Sequence, residues 1–323
     1  MPLSLCGVAF PRVFQMSGAT GFFGEGYPFH HYAKMVGMDW TDTTFVAKTT
    51  TLDAREGNMS RTEDGITPKE WKPQCIVVNP LKGVTLNAVG LSGPGLVALV
   101  DKGQWQERKD PFWISFMSVA PTSAERAQEL STAVRILKER KKEFCALWGF
   151  QQNFSCPNVG LDVHKLLQEV RIGLTIAEEL AVPLMPKFDL RILPQVARDI
   201  SQHPACDAIH VSNALPWGSF PECINWKKLF GSETSPLAKY GGGGLSGKPL
   251  LPLLLKWLAQ ARKMISKPIV AGGGILSAYD AEAVIKLGAD AIALGTIGIL
   301  RPWRMKETIR TAYRLYGEEP LCE

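Results

Sequence analysis

Short apolar runs punctuate this chain at residues 13–16, 43–47, 113–117, 147–152, 184–188, 208–211, 268–271 and 291–294. Several are continuous rather than alternating, as expected of strands covered on both faces. Stretches with helical spacing lie between them. Residues 123–143 open on a capping candidate, Ser123, with Arg126 rather than an acid three positions on, and Glu125 in the first turn. Residues 279–287 place Ala281, Val284, Ile285 and Gly288 on one side, with Gly288 as a helix stop.

Eight strands with helices between most of them predict a closed (β/α)₈ TIM barrel. An open doubly wound sheet would want a G-x-G-x-x-G turn, and the early turn Ser17-Gly18-Ala19-Thr20-Gly21 does not match it. Residues 1–323 read as one domain with two excursions, at about 54–96 and 213–246. The first holds Pro68, Pro73, Pro80 and Pro94 and is expected to carry small hairpins. The second is rich in Trp, Pro and Gly. Long loops at the carboxyl ends of barrel strands are where such folds keep their sites.

Composition changes this picture little. At 46% hydrophobic and 21% charged over 323 residues, the chain belongs with folded proteins and needs no disulfide or metal staple. A net charge of +5 is mild, and the densest basic stretch, residues 138–142, reads as the solvated side of a helix, so no nucleic acid is expected. Seven cysteines without a C-x-x-C pair give no iron–sulfur or zinc site and fit free thiols in a reducing, cytoplasmic setting. Residues 1–10 lack the basic start of a signal peptide. The most apolar later stretch, 249–259, is broken by Pro252 and Lys256, and no membrane span is expected. His30 and His31 are adjacent, form no metal-binding spacing and read as loop or surface residues.

The candidate chemistry sits at strand ends. Gly272-Gly273-Gly274 and Gly295-Thr296 follow the last two strands, where backbone N–H groups can approach a phosphate. Gly244, in a run of four glycines, could add donors or act as a hinge; tight turns alone are the plainer reading of all three. Asn153-Phe154-Ser155-Cys156-Pro157-Asn158 ends the fourth strand. Its amides suit a ring with alternating C=O and N–H groups, and Cys156 could be a base or nucleophile or a buried apolar residue. Lys48 and Lys187 fall at or in strands, where a lysine must pair with an anionic ligand, an electron-rich ring or a protein carboxylate. Asn87 could reach over the barrel mouth, and Asn213 ends the sixth strand.

Taken together, Lys48-Thr49 with Arg55-Glu56-Gly57-Asn58, residues 87–91, residues 153–158 and the two glycine-rich ends resemble the dihydroorotate dehydrogenase family, in its soluble branch with a cysteine base. The C-terminal barrel of dihydropyrimidine dehydrogenase is a related cousin. The resemblance runs from Ser17-Gly18 to Gly295-Thr296. It implies an FMN cofactor whose phosphate is held by Gly273, Gly274, Gly295 and Thr296 near Gly244, with Ser17, Gly18, Lys48, Thr49 and Lys187 along the ribityl chain and ring. It implies Asn87, Asn153, Asn158 and Asn213, with Lys48, as the substrate grip. Cys156 would take the C5 proton of dihydroorotate while hydride passes from C6 to flavin N5. No metal is implied. Homodimers are the family's usual state, and fumarate is the expected oxidant ahead of a separate electron-transfer subunit. Two positions differ from the family pattern. Ala214 stands where serine is usual, and the loop after Cys156 is short, so another loop, such as 217–220, would close the site, or another dihydropyrimidine would be the substrate. A non-flavin phosphate-substrate lyase or isomerase using Lys187, and a non-catalytic binding barrel, are the alternatives from other classes.

Overall fold

The computed structural model describes residues 1–154 and 163–317. Its centre is a parallel sheet of seven strands. In spatial order these are Val13–Gln15, Ala291–Leu294, Ile269–Gly272, Ile209–Val211, Leu184–Phe188, Trp148–Asn153 and Phe112–Phe116. All seven were among the expected runs, with ends displaced by a residue or so.

The expected strand at 43–47 is the exception. This segment forms isolated parallel bridges to both edge strands, Thr44 with Phe14 on one side and Val46 with Trp113 and Thr50 with Phe116 on the other. Between its two bridges to Phe112–Phe116 it takes four steps against three, so one residue is extra and the ladder is interrupted. The Lys48 N–H leaves the sheet and donates to the Gly21 carbonyl at 2.9 Å. Among the described residues the sheet is therefore an incompletely closed barrel of seven regular strands, and not eight equivalent ladders. The extra residue falls in the segment that carries Lys48.

The continuous apolar runs are explained by two separate cores. Alternate residues Val13, Ile114, Phe150, Leu184, Ile209, Ala271 and Ile292 belong to an outer core shared with the helices. Their neighbours Phe14, Trp113, Met185, Ala208, Val270 and Ala291 form an inner core. The inner core is completed at the amino ends of the strands by a hairpin, Leu3–Leu5 against Val8–Phe10, whose Leu3, Leu5, Val8 and Phe10 are buried in it. That hairpin was not anticipated. Gly149 leaves room for the Trp113 ring, which would lie 2.7 Å from a Cβ at that position.

The helix at Ser123–Arg140 starts one residue earlier than its capping signal suggested. Thr122, not Ser123, is the N-cap, and it forms a complete capping box with Glu125. The later helix spans Ala278–Lys286, with the Ser277 side chain capping the Asp280 N–H.

The two excursions meet. The hairpin Ile76–Asn79 and Val84–Asn87 continues into Gly244–Gly247 and Leu215–Pro216 as one four-stranded antiparallel sheet. Its register sets Leu86 opposite Leu245 and Asn87 opposite Gly244. This small sheet stands over the carboxyl ends of the parallel strands and holds Asn87 and Gly244 beside each other. Among the described residues no helix is long and apolar enough to cross a membrane.

Candidate active site

A cavity of about 880 Å³ opens at the carboxyl ends of the parallel strands, under the small sheet. Ser17, Gly18, Lys48, Thr49, Asn87, Asn153, Lys187, Asn213, Gly244, Gly273, Gly274, Gly295 and Thr296 all line it. Every expected site residue within the described range is thus brought to one space. Cys156 and Asn158 lie outside the described residues.

One end of the cavity is a glycine cradle. Gly273 and Gly274 follow the Ile269–Gly272 strand with φ of +119° and +80°, a region L-residues avoid. A Cβ at 273 would lie 2.6 Å from Ser212 Oγ, and one at 274 would lie 2.7 Å from the Leu251 nitrogen. Met16 fills the gap between the two glycine-rich ends, since a Cβ on Gly272 would meet its Cε at 2.6 Å and one on Gly295 its Cβ at 2.9 Å. The result is glycine backbone lining the cavity at two adjacent strand ends, suited to an anionic group. Replacing Gly273 by Ala is expected to weaken binding of a phosphate-bearing ligand by tenfold or more while the fold is kept; calorimetric titration and circular dichroism check this.

The two lysines occupy different surroundings. Lys187 is 2% exposed, in the middle of a strand. Among the described residues its ammonium makes no hydrogen bond or ion pair, and burial pushes it down to about 7. Lys48 donates to the Ser92 carbonyl at 2.7 Å and sits 4.7 Å from the Phe22 ring centre. Burial first, and then the Arg61 charge, lower it to about 7, with Glu25 opposing. Among the described residues neither lysine has a carboxylate within ion-pair distance, and both line the cavity.

Asn213 Nδ2 donates to Asn153 Oδ1 at 2.7 Å, so these two amides act as one unit. Asn87 Nδ2 faces the Gly244 carbonyl at 3.4 Å. Thr49 Oγ1 bonds both Ser17 Oγ and Ser115 Oγ at 2.9 Å. Ala214 lies against Gly244, whose added Cβ would come within 2.8 Å of the alanine methyl. The loop at 217–220 does not cover this space. Trp217 instead packs on Trp226 and Phe230, with ring centres 4.6 and 5.2 Å away.

Several contributors were not singled out from sequence. Met16 and Ser212 line the cavity, and each adjoins a residue that was. His30, expected at the surface, is buried in the cavity wall, edge-on to Phe29 and Tyr27, and burial lowers it to about 4. Its neighbour His31 is exposed as expected. Ser115, Gln151 and His210 are fully buried polar residues on the inner face of the sheet, below the cavity. Their signal was a polar residue at alternate positions of otherwise apolar strands.

A parallel sheet with an anion cradle, buried cations and paired amides around one cavity at its carboxyl ends defines an enzyme that holds a phosphate-bearing cofactor against a small polar ring. Comparison with known proteins gives the family. A model of the dihydroorotate dehydrogenase family matches residues 2–311, and the chain belongs to that family. It is an FMN-dependent oxidoreductase. The catalytic subunit of dihydroorotate dehydrogenase B (NAD(+)) of Streptococcus pneumoniae is 27% identical over 94% of this chain and 90% of its own. The corresponding subunit of Anoxybacillus flavithermus is 29% identical over 88% and 81%. Dihydroorotate dehydrogenase A (fumarate) of Lacticaseibacillus paracasei is 28% identical over 92% and 91%. The fold is similar to the solved dihydroorotate dehydrogenase of Eimeria tenella, with a TM-score of 0.65 at 19% identity over 97% of this chain and 84% of that one.

Proposed function

We infer that this chain oxidises dihydroorotate to orotate in pyrimidine biosynthesis with FMN as its cofactor. The observation that carries this is Lys187, a fully buried cation without a protein partner among the described residues, in the wall of a cavity shared with a glycine cradle and two paired asparagines. The residues fit the cofactor: Gly273, Gly274, Gly295, Thr296 and Gly244 hold its phosphate, and Ser17, Gly18, Lys48, Thr49 and Lys187 line its chain and ring. Bound FMN supplies a two-electron acceptor. The chain does the rest. Asn87, Asn153, Asn158 and Asn213 grip the pyrimidine ring and its carboxylate, with help from Lys48. Cys156 Sγ takes the C5 proton; an ordinary thiol loses its own proton near pH 8.5, within reach of a neighbouring cation's influence. Lys187 supplies positive charge where the ring system becomes electron-rich.

This reading puts the chain in the cysteine-base branch and treats 1–323 as one domain, the 44–50 bridges standing in for an eighth barrel strand. Fumarate is the proposed oxidant, a homodimer the proposed assembly and the cytoplasm the proposed location. Family membership displaces the non-flavin lyase and the scaffold. A different dihydropyrimidine is the second reading, favoured by Ala214, whose methyl group cannot donate the hydrogen bond of a serine.

An anaerobic absorbance spectrum tests the whole. Bleaching of the flavin bands on adding dihydroorotate, and their return with fumarate, is the expected result. Bleaching by dithionite but not by dihydroorotate would move the substrate to another dihydropyrimidine. Return of the bands only with NAD(+) and a second subunit would overturn fumarate.

The lysines predict a pH dependence for cofactor binding. In the apoprotein Lys48 and Lys187 lose their protons near 7, and an anionic ligand favours the charged forms. Binding above pH 7 must then take up protons, so FMN affinity falls as pH rises, by at most about tenfold per pH unit for each lysine. Fluorescence titration of apoprotein with FMN at pH 6.5 and 8.5 checks this, with weaker binding expected at the higher pH.

A further inference from the structure

Beneath the cavity, buried polar side chains form an unbroken series across the inner face of the sheet. Asn213 Nδ2 donates to Asn153 Oδ1 at 2.7 Å, and Asn153 Nδ2 reaches Thr49 Oγ1 at a long 3.5 Å. Thr49 Oγ1 meets Ser115 Oγ at 2.9 Å, and Ser115 Oγ donates to Gln151 Oε1 at 3.1 Å. Gln151 Nε2 then meets His210 Nδ1 at 2.9 Å. His210 is fully buried, beside Lys187 in the strand register, and its Nε2 has no hydrogen-bond partner among the described residues.

With the Gln151 amide set so that its oxygen faces Ser115 and its nitrogen faces His210, the donors and acceptors run in one direction. Ser115 commits its proton to Gln151 Oε1, so it accepts from Thr49, and Thr49 Oγ1 accepts from Asn153 while Ser17 Oγ lies 2.9 Å from it on another side. Gln151 offers its amide N–H to the histidine, so Nδ1 must be the bare, accepting nitrogen and Nε2 carries the proton. Burial, reinforced by the Lys187 charge, holds the ring neutral, as this tautomer requires.

We propose that His210 is a positioning residue which, through Gln151, Ser115 and Thr49, fixes the amide orientation of Asn153 and Asn213 and so sets the donor–acceptor pattern shown to the pyrimidine ring. This rests on the reading of the two asparagines as substrate contacts. A reversed amide would set oxygen against a ring carbonyl, or N–H against a ring N–H, and buried mismatches of that kind are costly. Hydrogen bonds in such sites often shorten once ligand is bound, which suits the one long link.

The test compares His210→Leu, which removes the acceptor, with His210→Asn, whose side-chain oxygen can occupy the Nδ1 position. Nitrogen-15 NMR of FMN-loaded protein should show His210 Nδ1 unprotonated from pH 6 to 8. The side-chain amide signals of Asn153 and Asn213 should move in His210→Leu and stay in His210→Asn. Calorimetric titration with orotate should give about tenfold weaker binding for His210→Leu and binding within twofold of wild type for His210→Asn. Should His210→Leu fail to fold, Ser115→Ala breaks the same series at its centre and carries the same expectations. A protonated Nδ1, or unmoved asparagine signals in the variant lacking the link, would overturn the proposal. A wild-type protein that ignores orotate while the asparagine signals still respond would leave the proposal standing and sink the substrate reading.

Discussion

Cys156→Ala is expected to slow reduction of the bound flavin by dihydroorotate by roughly 100- to 10,000-fold, the range over which a positioned general base acts. The C5 proton is weakly acidic, and no other ionisable side chain stands in the run Asn153-Phe154-Ser155-Cys156-Pro157-Asn158. The cradle and lysines proposed to hold FMN lie on other segments, so the variant should purify yellow and bleach normally with dithionite. Cys156→Ser should fall between the two, because a hydroxyl in place of the thiol can be deprotonated only with much greater difficulty. Stopped-flow absorbance under anaerobic conditions measures this. A Cys156→Ala rate within tenfold of wild type would remove the thiol from the role of base.

Lys187→Met is expected to act in opposite directions on stability and on chemistry. The ammonium is buried among strands without a protein counter-charge among the described residues, so in the absence of ligand it costs stability. Methionine fills a similar volume without that cost, and the apoprotein should melt at a higher temperature. With cofactor bound, the same change removes the positive charge near the reduced ring. The flavin midpoint potential should become more negative, and reduction by substrate should slow by roughly 100- to 1,000-fold, as when a preorganised charge or donor is taken from other sites. Thermal melts of the apoprotein and a redox titration of the loaded protein check the two halves. A lower melting temperature together with an unchanged potential would make Lys187 a structural residue.

The residues that line the cavity stood out in the sequence because their types are wrong for the places they occupy. Lysine in a strand, amides and a proline after a strand, and glycines at two successive strand ends are poor core material, and each needs a ligand or a turn to account for it. The polar layer of Ser115, Gln151 and His210 was less legible. A single polar residue within an apolar run looks the same whether it faces a helix or the interior of the sheet, and only the strand register shows that these three meet.

By itself, the sequence determined the local and chemical features: seven of the strands, two of the helices to within a few residues, many of the polar and glycine residues of the cavity and the family to which they belong. These follow from hydrophobic period, capping residues and residue type, which act over a few positions. The tertiary structure alone decided the long-range ones. The bulge at Lys48 depends on the Gly21 carbonyl competing for its N–H. The inner core is completed by the amino-terminal hairpin, which packs with residues as distant as Met185, Val270 and Ala291. The two excursions become one sheet because Asn87 pairs with Gly244, 157 positions away. Each of these is a choice between partners distant in sequence, made by what the packed strands leave unsatisfied, and no local pattern encodes it.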